Sequence, residues 1–152
     1  MKKPLFTTLL FTASLAISLA APIPAMAADK IVAFPIAGAL AANGAQQRLG
    51  ENVQFYFAGQ ATPKVLETIT SDKTSLRTNA FGKSAEKACN WVFLSAMLQL
   101  QKRALAVGAN AVINITSNFN DQEMASPTEF NCADGALMAG VAFKADFVKI
   151  AR

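Results

Sequence analysis

Between residues 84 and 108 apolar residues recur at three- and four-residue steps: Cys89, Val92, Phe93, Ala96, Met97, Leu100, Ala104 and Val107. That spacing marks one face of an α-helix. Ser84 suits the N-cap, Glu86 suits the first turn, and Lys102 and Arg103 sit near the far end, where the helix dipole favours cations. Gly108 suits the left-handed residue that closes a helix, so the pattern predicts one helix over 84–107. The apolar pattern does not stop at that stripe. Trp91, Leu94, Leu98 and Leu105 widen it, and only Ser95, Gln99, Lys102 and Arg103 look made for water. A helix apolar nearly all round is buried on more than one side. Its second cover must be a loop, an N-terminal segment or another subunit. Trp91, Leu94, Leu98 and Leu105 are therefore the candidate interaction face, through which the chain could form a homo-oligomer.

Elsewhere the period is two, or the signals are those of turns. "IVAFPI" (31–36) reads as a short strand whose end is set by Pro35, and "AGALAANGAQQRLG" (37–50) as a short helix closing at Gly50. "NVQFYFAG" (52–59) alternates Val53, Phe55 and Phe57 against Gln54 and Tyr56, as a half-buried strand does. Tyr56 is then the aromatic most open to solvent. "KVLETITS" and "TSLRTNA" suggest two short strands around Ser71-Asp72-Lys73. After Gly108, "NAVINITSNF" is a strand with Ile113 and Ile115 on the register alternate to Val112, and 118–128 reads as a polar loop. "EFNCADG" carries Cys132 back to the helix, and "ALMAGVAFKADFVKI" puts Val141, Phe143, Ala145 and Phe147 on one parity of a long strand. The expectation is an α+β fold: a mostly antiparallel sheet packed by one long helix.

The N-terminus changes how composition is read. Lys2 and Lys3 precede an apolar run from Leu5 to Ala20, then Pro22 and Pro24, then Ala25-Met26-Ala27. This is the layout of a signal peptide over 1–27, cut before Ala28, and the run of about 16 residues is short for a span of roughly 20. No cysteine follows the cut to carry a lipid, so the expected product is a periplasmic or secreted domain, 28–152, with no membrane anchor. Of the 14 basic and 10 acidic residues, two basic ones lie in the leader, which leaves a net charge of +2. So small a surplus gives no argument for a nucleic-acid partner. In an exported chain two cysteines, Cys89 and Cys132, are expected to pair. The alternative, a redox or metal-binding thiol pair, wants a short CxxC or more ligands, and neither is present.

Residues then carry a resemblance. "FYFAGQATPKV", "TNAFGKSAEKACNWVFLSAMLQLQKRA", "GANAVINI" and "EFNCADGALMAGVAFKADFVKI" resemble a family of small exported bacterial proteins of unknown function, whose members often bear the name of an excinuclease ABC component. The similarity covers nearly all of 28–152, with both cysteines. That name implies an ATPase, but the chain has no GxxxxGKS/T loop and no CxxC pairs. The order of helix, "GANAV", strand, loop and long strand is also similar to cytosolic proteins named as heavy-metal-binding, and to the exposed domain of the Rcs envelope-stress lipoprotein. Those resemblances imply an α+β fold with a disulfide between helix and strand.

The candidate chemistry is sparse. The chain has no histidine, which removes the Ser-His-Asp and Cys-His constellations and the commonest metal ligand. The ten acidic residues are scattered, and Asp121, Glu123 and Glu129 come nearest to a cluster. A solvated loop explains them; weak cation binding by their oxygens is the alternative. Phe55, Tyr56, Phe57 and Trp91 read as core before they read as a ligand platform. The expectation is a non-enzymatic domain without a cofactor, binding a protein or envelope component. The second expectation is a small-ligand or metal-binding module that uses the loop carboxylates or a pocket between helix and sheet.

Overall fold

The computed structural model describes residues 29–151, so the predicted leader lies outside the described residues. In chain order the elements are β1 (Lys30–Pro35), α1 (Ile36–Ala41), α2 (Ala45–Leu49), β2 (Gln54–Phe57), β3 (Val65–Asn79), α3 (Ala85–Val107), β4 (Ala111–Phe119), β5 (Gln122–Met124), β6 (Glu129–Asp134) and β7 (Met138–Ile150). Seven strands make one mixed sheet around β7. Along one edge of β7 runs β3, paired from Val65↔Ile150 to Asn79↔Met138. The other edge is shared, with β4 opposite 143–148 and β6 opposite 139–140. β1 extends the sheet beyond β6 and β5 folds back on β4, both antiparallel; β2 joins β4 in parallel. The architecture is α+β.

One face of this sheet is packed by α3. Ser84 caps the helix through its hydroxyl, which accepts from the Lys87 N–H, and Gly108 ends it at φ 76°. A residue without Cβ takes that conformation at the least cost. Beneath the helix lie Val141, Phe143, Ala145 and Phe147 of β7, all buried. Phe93 is the hub: its ring centroid is 4.5 Å from Phe130, 5.9 Å from Phe143 and 6.0 Å from Phe57. Cys89 and Cys132 form a disulfide across a Cα separation of 6.0 Å, tying the start of α3 to β6.

The surplus apolar arc of α3 is covered by the N-terminal segment. α1 and α2 pack on α3, and their Ile36, Ala39, Ala45 and Leu49 belong to the same core cluster as Leu94. The Gln101 amide donates to the Leu49 carbonyl and fastens this cover. Where one helix over 37–50 is predicted, two form. Asn43 and Gly44 both adopt left-handed backbone and turn the chain between them.

Three further differences have local causes. The pair of strands predicted around Ser71-Asp72-Lys73 is one 15-residue strand. Those turn-forming residues stay extended because each faces a partner on β7: Ser71 opposite Asp146, Asp72 opposite Ala145, Lys73 opposite Lys144. The predicted loop 118–128 is partly a hairpin. Asn120 and Asp121 both have positive φ, as a two-residue I′ turn requires, and return the chain as β5. In β4, Asn114 (φ 51°) makes a bulge, so Val112 and Ile115 both enter the core under α3 while Ile113 joins Val148 and Ile150 on the other face.

Candidate functional site

Among the described residues, no helix packs over the face of the sheet opposite α3. Strand alternation sends Gly140, Ala142, Lys144 and Asp146 of β7 to that face, with Ser75 and Arg77 of β3 and Ala133 of β6 beside them. Gly140, Ala142 and Ala133 have so little side chain that they leave a floor between taller walls. The result is a groove of about 610 Å3. Arg77, Ser75 and Lys73 form its β3 wall; Asn118, Phe119, Asn120 and Asp121 form the hairpin wall. Asp29, Ile31 and Met138 line its remaining end. A Cβ on Gly140 would stand 3.4 Å from the Arg77 Cγ, so the guanidinium stem lies along the floor.

Ion pairs set the groove's electrostatics. The Lys73 Nζ donates to Asp121 Oδ1 at 2.5 Å, which carries the hairpin tip across β7 to β3. This hydrogen bond, and then the lysine's charge, hold the Asp121 carboxyl below its ordinary range. On the same face Lys144 donates to Glu123; the bond lowers the Glu123 pKa and raises that of Lys144. Arg77 forms no ion pair among the described residues. The groove therefore offers one uncommitted guanidinium, the Asn120 amide, a serine hydroxyl and an aromatic edge above a small apolar floor.

The predicted site residues are dispersed. Cys89 and Cys132 meet in the disulfide. The four residues of the candidate interaction face do not share one open surface. Leu94 is 1 % exposed and Leu98 packs against the core, whereas Trp91 and Leu105 remain exposed. Trp91 lies under Arg48, whose Cζ is 5.8 Å from the ring centroid. Tyr56, expected to be open, is half-buried against Ile113 and Val148 and donates to the Gln54 amide oxygen. Asp121 and Glu123 are each held by a lysine, and Glu129 lies opposite Pro35 on the β1 side of β6. Among the described residues, no three His, Cys, Asp or Glu side chains come together to hold a metal ion. The space between helix and sheet is filled by the phenylalanine cluster, so the groove lies on the other side from the pocket the sequence suggests.

Nothing in the sequence pattern marks this groove except Gly140, a glycine inside a strand, which signals a close approach. Its neighbours across the floor come from β3 and β6, which only the sheet order brings together. Searches against protein-family profiles, curated proteins and solved structures give no match for this chain.

Proposed function

We propose that this chain is a non-enzymatic binding domain of an exported protein, and that the groove over Gly140 and Ala142 takes an envelope saccharide bearing a carboxylate or phosphate. The observation that carries this reading is Arg77, an unpaired guanidinium on the wall of a 610 Å3 groove. A planar five-donor group suits an oxyanion, and the Asn120 amide with the Ser75 hydroxyl suits ligand hydroxyls, while the buried Asn118 amide donates to Asp121 and steadies the hairpin wall. The available groups favour binding over catalysis. General acid–base chemistry near neutrality most often uses a histidine or a carboxyl with raised pKa. The sequence has no histidine, and the Asp121 carboxyl is shifted downwards. The resemblance to small exported proteins fits the same compartment, as does the disulfide. Metal binding is the weaker reading, because Lys73 already holds Asp121, which leaves Asp29 as the one groove carboxylate without an ion pair among the described residues.

Thermal-shift titration tests the proposal. Carboxylated and phosphorylated saccharides should stabilise the protein increasingly with concentration, neutral saccharides of the same size should not, and Arg77→Ala should abolish the shift. A shift by calcium or zinc instead would transfer the site to the metal reading. No shift with any saccharide would end the proposal.

A further inference from the structure

Lys73 is not the end of the open surface. Strand alternation places Ser71, Lys73, Ser75 and Arg77 of β3 on the face opposite α3, and Lys144 of β7 stands directly across from Lys73. A second, smaller hollow of about 280 Å3 is lined by Ser71, Asp72, Lys73 and Lys144. Lys73 belongs to both spaces, with Ser75 and Arg77 on its groove side and Ser71 on the other. Two ammonium groups opposed across a strand pair repel each other, so the arrangement costs stability unless anions lie against them.

Those anions come from the β4–β5 hairpin. Asp121 accepts from Lys73 and Glu123 accepts from Lys144, so one short element supplies both carboxylates. Beneath it the open face of β3 and β7 carries Arg77, Lys73 and Lys144 against Asp146, whose carboxylate is itself held by the Ser71 hydroxyl and the Asn114 amide. Both lysine pairs are open to water, with side chains 57 % and 75 % exposed in the first and 38 % and 45 % in the second. Exposed pairs of this kind are held weakly. Each carboxylate also has a second donor on β4: the Asn118 amide reaches Asp121 at 3.5 Å, and the Thr116 hydroxyl reaches Glu123 at 3.2 Å. Release of the lysines therefore leaves neither carboxylate without a partner.

We propose that Lys73 and Lys144 form a second anion subsite, in which the hairpin carboxylates stand where a ligand's anionic group binds. One ligand anion rests on Arg77 and the next lies between the two lysines. Along β3 these positions are about 13 Å apart at the usual strand rise. The ligand class is then a linear acidic oligosaccharide, charged at intervals, in place of a single charged sugar. That part rests on the groove reading above; the lysine subsite itself does not.

Two measurements separate the subsite from the groove. Inorganic pyrophosphate is titrated into the Arg77→Ala protein while NMR follows the side-chain signals of the lysines. A saturable shift at Lys73 and Lys144, with Lys30 and Lys149 unmoved, is expected. Galacturonic acid and its linear tetramer are then compared by calorimetry. The tetramer should bind the native protein roughly tenfold more tightly than the monomer, because a second anion is engaged, and Lys144→Gln should remove most of that advantage. Glu123→Gln takes away the competing carboxylate and should strengthen tetramer binding about threefold. Pyrophosphate that moves neither lysine, or moves Lys30 and Lys149 equally, overturns the inference. So does a Glu123→Gln protein that binds the tetramer no better than the native one, since Glu123 then only clasps the hairpin. Monomer binding that needs Arg77, beside lysines that stay silent, leaves the groove reading standing and ends this one. Lysines that respond where no saccharide binds keep the subsite, for phosphate, and end the groove reading.

Discussion

Cys89, near the start of α3, is bonded to Cys132 of β6, and both residues are fully buried beneath the start of the helix. The bridge closes 43 residues that include β4 and all but the first turn of α3. In the chain-entropy account a loop of that length contributes about 4 kcal/mol. Cys89→Ser/Cys132→Ser should therefore melt roughly 10–20 °C lower than the native protein, on the scaling of about 3–5 °C per kcal/mol for a domain of this size. Reductant should lower the native melting temperature towards that of the variant. Equal melting temperatures would show that the closed loop contributes nothing.

Leu94 and Leu105 lie on the same extended arc of α3 and should behave oppositely. Leu94 is enclosed with Ile36 and Ala39, so Leu94→Ala should cost about 2–5 kcal/mol and Leu94→Asp should prevent folding. Leu105 is exposed, and Leu105→Asp should stay within about 0.5 kcal/mol of the native protein. Urea denaturation of the three variants separates the two positions. A folded Leu94→Asp protein would mean that α1 and α2 do not seal the helix.

The fate of that arc shows what the sequence makes legible. Helix period, N-cap and closing glycine are local signals, and α3 forms where they place it. The alternation from Val141 to Phe147 is equally local, and it identifies the inner face of β7. The covering of Leu94 depends on a segment about fifty residues earlier, so periodicity reports that a cover is needed but not which one. β3 fails the same way. Ser71-Asp72-Lys73 has turn composition, and only pairing with β7 keeps it extended. The groove is least legible, because its floor and walls come from β3, β4, β6 and β7 and become neighbours only through the order of strands.

Asp121 should titrate below its ordinary value of 3.8 because Lys73 donates to its ionised form. A carboxyl with a depressed folded-state pKa stabilises the fold at pH above its unfolded value, and that contribution disappears as pH falls through the lowered folded value. Lys144, raised above 10.5 by Glu123, is the converse: its contribution is complete below 10.5 and is lost as pH rises through the raised value. Carbon-detected NMR titration should give an Asp121 midpoint under 3.8 that rises in Lys73→Ala. Both side chains of the pair are exposed, so added salt should also raise it. A midpoint indifferent to Lys73 would break the link between the hairpin tip and β3.

Asn114 decides which way β4 faces. Its left-handed backbone, φ 51°, inserts the bulge that lets Val112 and Ile115 both enter the core, and its side-chain amide donates to Asp146 Oδ2 at 2.8 Å. Asparagine tolerates that conformation; a β-branched residue does not. Asn114→Gly keeps the backbone and loses only an exposed hydrogen bond, so it should cost less than about 1 kcal/mol. Asn114→Val offers the better strand former by propensity, yet it should cost about 1–3 kcal/mol, because the strain falls on the bulge itself. Denaturant melting of both variants checks the order. If valine proved the more stable, the strand would be regular at this point, and Ile113 would exchange faces with its neighbours.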